Sequence, residues 1–157
     1  MTIYTLSREQ YLPIPVAEAW KFFSSAGNLA TITPPDMQFT ILTKLDDSPI
    51  RKGMHIDYIV KPLLGIPLKW RTEISEVNSP HSFTDKQLSG PYALWEHTHT
   101  FEAVAGGVRM TDEVKYALPL GILGVIAHSI LVKKKLEHIF NYRKTVLEEL
   151  FGKYKKR

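Results

Sequence analysis

The sequence predicts an α+β protein in which one antiparallel sheet of seven strands is covered by a single long C-terminal helix. Three observations lead there. Apolar residues recur with period two in six runs between residues 37 and 117, as half-buried strands require. Turn residues separate these runs by only a few positions, which favours an antiparallel meander over crossover connections. From 122 to 151 the period changes to three-to-four. A helix of that length spans roughly 45 Å, enough to cross a whole sheet.

Each element follows from its residues. Residues 2 to 12 alternate loosely and are rich in Ile, Tyr and Leu, giving a first strand. Pro15 suits the first turn of a helix, and Val16, Ala19, Trp20 and Phe23 follow at helical spacing. Gly27 breaks that helix, a short second one covers 26 to 31, and Pro34-Pro35 ends it. The six strands are "MQFTILTKL", "MHIDYIV", "IPLKWRTEISEV", "SFTDKQL", "YALWEHTHTFEAV" and "VRMTDEVKYAL". Their turns lie at Asp46 to Pro49, Pro62 to Pro67, Asn78-Ser79-Pro80, Gly90-Pro91 and Gly106-Gly107. In the last helix Val132, Leu136, Ile139, Phe140, Val146, Leu147, Leu150 and Phe151 form the apolar stripe. A sheet with one apolar face needs a cover, and this helix is the one element long enough to supply it.

Composition narrows the function classes. The 157 residues fit one domain over 1–157, 44% hydrophobic and 23% charged. With no cysteine, disulfides, zinc ribbons and thiol catalysis are excluded. The net charge of +4 gathers near the C-terminus, in Lys133 to Lys135 and after Lys153. Neither stacking aromatics nor a reading helix accompanies it, so no nucleic-acid partner is expected. The N-terminus lacks the pattern of a signal peptide, and the default compartment is the cytoplasm. Residues 116 to 132 carry no Asp, Glu, Lys or Arg, but the run is short for a span and Pro119, Gly121, Gly124 and His128 interrupt it. Stable insertion is not expected; transient membrane contact is compatible with the pattern. No sequence feature names a protein partner.

Phasing the strands by their apolar residues places side chains. Tyr58 and Val60 point in from the third strand. Ile66, Leu68, Trp70 and Ile74 do so from the fourth, and Phe83 from the fifth, so Asp85 and Gln87 share its face. Trp95, His97, His99 and Phe101 point in from the sixth. Val108, Met110, Val114 and Tyr116 do so from the seventh, and Asp112 goes with them. Five polar residues thus intrude on an aromatic face: Asp85, Gln87, His97, His99 and Asp112. A two-residue turn at Gly106-Gly107 pairs Phe101 with Asp112 and makes His99 its diagonal neighbour. Asp85 meets His97 if the register between their strands allows.

Three chemistries suit this corner. His97 and His99, two apart on one face, together with Asp112 offer metal ligands, but His-x-His alone is a weak signal. A His–Asp pair in an apolar pocket is equipment for general acid–base catalysis, with His97, His99 and Asp112 as candidates. No nucleophile or cofactor-loop motif accompanies it. The third reading, a polar end to an apolar binding pocket, fits the pattern best, so no metal and no cofactor are expected. Trp20 and Phe22-Phe23 read as helix packing, His128 and His138 as exposed. Arg143 reads as lying at the edge of the stripe with its head reaching out, or alternatively as pairing with an acidic cavity residue.

The order of elements resembles the START-like, or helix-grip, superfamily over the whole chain. "NLATITPP", "GIPLKWRTEI", "FTDKQLSGPYALWEHTHTF", "MTDEV", "YALPLG" and "IFNYR" resemble a bacterial branch of ligand-binding members related to polyketide cyclase/dehydrase-like proteins. The resemblance implies a cavity between sheet and helix for a small hydrophobic or aromatic ligand, such as a lipid, isoprenoid, quinone or polyketide. Tyr58, Trp70, Phe83, Asp85, Gln87, Tyr92, Trp95, His97, His99, Phe101, Met110, Asp112, Leu136 and Phe140 would line it. It also implies members that are enzymes, cyclases or dehydratases among them. A filled cavity and a protein-partner role is the further alternative. By the same resemblance the loop "KPLLGIP", with Leu63 and Leu64, borders the opening together with Ile122 and Ile126.

Overall fold

The computed structural model of the protein describes residues 1–61 and 65–156. Seven strands, β1 (Tyr4–Leu12), β2 (Thr40–Ile41), β3 (His55–Val60), β4 (Leu68–Asn78), β5 (Ser82–Ser89), β6 (Leu94–Val104) and β7 (Gly107–Ala117), form one antiparallel sheet. Their order is β1-β7-β6-β5-β4-β3-β2. Helix α1 (Val16–Phe23) follows β1, started by the Pro15 carbonyl, which accepts from the Glu18 and Ala19 amides. Single 3₁₀ turns follow at Ala26–Leu29 and Pro35–Met37. The C-terminal helix begins as α2 (Ile122–Ala127), passes through a π-helical turn (His128–Val132) and continues as α3 (Lys133–Phe151).

The second strand is much shorter than its alternation predicts. The Asp57 carbonyl accepts from the amides of both Leu42 and Thr43, and the Thr43 hydroxyl takes the Asp57 amide. That irregularity ends the ladder after Ile41. Two register shifts, at Arg71/Thr72 and Ile74/Glu76, interrupt the β4–β5 ladder. Such bulges bend a strand and increase its twist. Past Ile74 they move the inward phase to Val77, which packs on the core. Ile66, expected to point in, precedes β4 and is exposed.

The β6–β7 hairpin also corrects an expectation. Gly107 is already in the ladder, opposite Val104, so Ala105 and Gly106 make the turn and Gly106 takes the positive φ of 80°. A Cβ on Gly107 would lie 2.0 Å from the Leu12 carbonyl oxygen. The close approach of β1 therefore claims this glycine. Phe101 faces Met110, and His99 faces Asp112 directly.

The core lies between sheet and helix. Leu147 of α3 packs with Leu12, Phe101 and Val108, while Leu136 and Phe140 pack with Val114 and Tyr116. Leu150, placed on the stripe by its spacing, is exposed, and Arg143 is buried on it instead. Among the described residues no helix is long and apolar enough to cross a membrane. Leu63 and Leu64, the expected access loop, lie outside the described residues.

Candidate functional site

Three adjacent strands bring the polar intruders together. The register sets Asp85 opposite His97 and His99 opposite Asp112, yet the shortest bonds run diagonally. His97 Nε2 is 2.8 Å from Asp112 Oδ1, and His99 Nε2 is 2.7 Å from Asp85 Oδ2. Each carboxylate also faces the other imidazole, at 3.9 Å from His97 Nδ1 and 3.3 Å from His99 Nδ1. The last is an ion-pair distance without hydrogen-bond alignment, for His99 Nδ1 is buried with no hydrogen-bond partner among the described residues. Arg143 completes the cluster, its guanidinium 3.2 Å from Asp112 Oδ1 and about 5 Å from the Phe23 ring centre.

The charges follow from this geometry. The two imidazoles stack with centroids 3.7 Å apart, so both cannot be charged and the pair titrates as one unit. Burial depresses both, and His99 repels a second charge on His97, which stays below the ordinary histidine value despite Asp112. At His99 the closeness of the Asp112 carboxylate and the bond to Asp85 outweigh burial and raise its pKa. Its ring also lies flat on Phe83, 4.1 Å between centroids, a favourable seat for an imidazolium. Burial alone would raise both carboxyls. The Arg143 charge and the His97 bond hold Asp112 well below the carboxylate range, and the His99 bond holds Asp85 below its ordinary value. When His99 carries its proton, the two carboxylates, that imidazolium and Arg143 sum to zero. His97 remains neutral. Its Nε2–H donates to Asp112, and Nδ1 keeps an acceptor lone pair.

Two chambers adjoin the cluster. One, about 120 Å³, lies under α1 and the turn after it, between Phe22, Phe23, Ile32, Tyr58, Phe83, Asp85 and His99. The other, about 280 Å³, lies under α3 between Phe39, Trp70, Tyr92, Leu136 and Phe140. Leu29, Trp95, His97 and Arg143 line both. Together they fall within the ~300–1,000 Å³ typical of small-molecule sites. Trp70 lines the larger chamber, and its buried indole N–H has no partner among the described residues.

Several residues sit elsewhere than the sequence suggests. Gln87 lines neither chamber; its amide bonds both backbone groups of Tyr92 and so clamps the turn at Gly90-Pro91. Phe101 and Met110 are buried in the solid core, Phe101 against Trp20 and Phe23. Asp112 stands behind the histidines and lines neither chamber. Phe22 and Phe23, read as packing, form chamber wall. Ile122 and Ile126 are exposed on α2, and the helix first contributes to the chamber at Leu131. His128 is buried rather than exposed, bonded to the Tyr116 hydroxyl at 2.7 Å and stacked on Tyr4 at 3.5 Å. Arg143 takes the alternative assigned to it, the acidic partner.

Spacing could have found the residues missed. Arg143 lies three after Phe140 and four before Leu147, on the buried stripe. Thr72 lies between Trp70 and Ile74 on the inward phase and bonds the Tyr58 hydroxyl at 3.1 Å. Asp85, His97 and His99 also present candidate metal-ligand atoms within 4.8 Å of one another.

No family model matches the chain, and no curated protein does. Solved structures do. Protein Ms6760 from Mycobacterium smegmatis is 19% identical, with a TM-score of 0.66 over 96% of this chain and 98% of that one. CV1439 from Chromobacterium violaceum is 12% identical with a TM-score of 0.72, over 96% and 98%. Ara h 8.0201 is 17% identical with a TM-score of 0.62, over 94% and 99%. A nucleoside-diphosphate sugar epimerase from Corynebacterium glutamicum is 25% identical with a TM-score of 0.63, but the match takes in 92% of this chain and only 28% of that longer one. Seven antiparallel strands in one sheet, short helices after the first strand and a long C-terminal helix give this chain the Bet v 1-like, helix-grip fold.

Proposed function

We propose that the protein binds one small, largely apolar ligand across the two adjoining chambers, with the polar end of that ligand at His97. The observation that carries this reading is the sharing of Trp95, His97 and Arg143 between two apolar chambers. With His99 protonated, Asp85, Asp112, His99 and Arg143 neutralise one another, and the ligand need bring no charge. Two groups are left open, the His97 Nδ1 acceptor and the Trp70 indole donor. A neutral molecule with a hydroxyl donor suits the first: an isoprenoid alcohol, a hydroxylated quinone or a polyketide-like phenol. An ionised fatty acid would meet the Asp85 carboxylate, at an unfavourable desolvation cost. A divalent metal at Asp85, His97 and His99 would add charge to a cluster already balanced, so the reading takes no metal.

The test is native mass spectrometry of protein purified from its own host. A co-purified neutral species of a few hundred daltons, absent from a His97→Phe, Trp95→Ala variant that still folds, is expected. Protein that carries nothing, and takes up no member of a panel of isoprenoids, quinones and polyketides, would contradict the reading.

One observation favours a second reading. A neutral imidazole oriented by a carboxylate, itself backed by an arginine, is the arrangement of a general base. Turnover of the co-purified molecule on incubation, lost in His97→Gln, would make the site a cyclase- or dehydratase-like one.

A further inference from the structure

Residues 120 to 131 pack with the usual order of an amphipathic helix reversed. Gly124 and His128 face inward and are buried. A Cβ on Gly124 would lie 2.4 Å from the Pro119 carbonyl oxygen, so the helix sits down on its small side. Its large apolar side chains face out: Ile122 is 78% exposed, Leu123 62%, Ile126 52% and Ile130 59%. Just before them Leu120 adopts a φ of 72° and is 76% exposed. A bulky residue held at positive φ is a strained conformation, and here it presents one more leucine to the outside. Burying these side chains inward was open to the sequence, and the fold buries a glycine and a histidine instead. A contiguous apolar surface of this kind marks a site of contact with another apolar phase.

Charge decides which. Between Glu113 and Glu137 there is no acidic residue, and Lys133, Lys134 and Lys135 follow the apolar stretch. Lys133 and Lys134 are exposed, whereas Lys135 is bonded to Asp36. A second copy of the chain docking symmetrically on this face would bring like lysines together on a protein of net charge +4. An anionic bilayer attracts them, and it accepts the apolar face of a helix to a depth of about 5–10 Å. Leu131, Lys135 and Leu136 also line the larger chamber, so the apolar face adjoins its wall.

We infer that this reversed helix start is a docking face for anionic membrane surfaces. It seats α2 and the π-helical turn among the acyl chains, with Lys133 and Lys134 at the headgroups. The inference does not rest on the ligand reading, since vesicle binding needs no ligand in the chamber.

Flotation of the whole chain with vesicles tests it, comparing phosphatidylcholine alone with phosphatidylcholine containing phosphatidylglycerol. Binding to the anionic vesicles, weakened by added salt, is expected. Lys133→Gln with Lys134→Gln should weaken it roughly thirtyfold, at about 1 kcal/mol for each basic residue near an anionic surface. Ile122→Ser with Ile126→Ser should abolish it at an unchanged melting temperature. The lysine variant, on exposed positions, keeps the test decisive if the isoleucine variant unfolds. Absence of binding to either vesicle would overturn the inference, as would binding indifferent to both charge and the lysine changes. A dimer that sedimentation shows dissolving on Ile122→Ser would overturn it in favour of a second copy.

Discussion

Asp112 is the residue on which the polar corner turns. It takes a hydrogen bond from His97, the charge of Arg143 and a close approach from His99. Removing one partner of a buried charged set leaves the others uncompensated, at a cost of about 3–5 kcal/mol. Asp112→Ala should therefore destabilise the protein by that order in urea unfolding. Adding Arg143→Met should cost clearly less than the sum of the two single changes, and strict additivity would show that the pair does not interact. The same corner sets a pH dependence. His99 has a folded pKa raised above its ordinary 6.5, so its contribution is fully present below that pH and is lost as pH rises through the folded value. The stability advantage of wild type over His99→Gln should shrink above pH 6.5. An advantage that grows there would show that His99 folds neutral. In NMR titration His99 should gain its proton at higher pH than His97. The alternation in "WEHTHTFE" made both histidines legible as inward-facing. It could not reveal which carboxylate each would take, because diagonal and direct partners on adjacent strands are equally near until the register is known.

At the scale of elements, a single glycine sets the β6–β7 register, with Gly107 in the ladder opposite Val104. Two adjacent glycines suit a two-residue turn, and local sequence alone assigns Gly106-Gly107 to it. What overrides this is β1, distant in sequence, whose Leu12 carbonyl comes too near for a side chain at 107. Gly107→Ala should then cost about 1–3 kcal/mol, as overpacking does, despite lying in a strand where alanine ordinarily replaces glycine favourably. A neutral or stabilising effect in thermal unfolding would mean that β1 can yield. The helix was legible in length and position from its period. Composition alone puts Arg143 at the edge, because a charged residue is outward by default, although its spacing falls on the buried stripe. His128 was missed for the same reason. Its partners, Tyr4 and Tyr116, come from the two neighbouring strands β1 and β7.

For the molecule as a whole, element order sufficed to predict a sheet gripping a helix, because few covers exist for a one-sided apolar sheet. Alternation also carried the aromatic lining, in Trp70, Trp95, Tyr58 and Phe83. It could not reveal that the space divides into two chambers, since their wall comes partly from Phe22, Phe23 and Leu29, on α1 and the turn after it. Nor could it separate lining residues from those in solid core, such as Phe101 and Met110, which share the same phase.

The central claim is that these adjoining chambers hold one ligand, and tryptophan fluorescence tests it most directly. In a Trp20→Phe variant the remaining indoles, Trp70 and Trp95, both line the larger chamber. Titration with neutral isoprenoid alcohols, hydroxylated quinones and polyketide-like phenols should give a saturable change at one equivalent for at least one class, abolished by a bulky Leu136→Trp or Leu29→Trp filling of the chamber once its own signal is subtracted. A fluorescence that stays unchanged across the panel, or drifts without saturating and responds equally in the filled variants, would contradict the account.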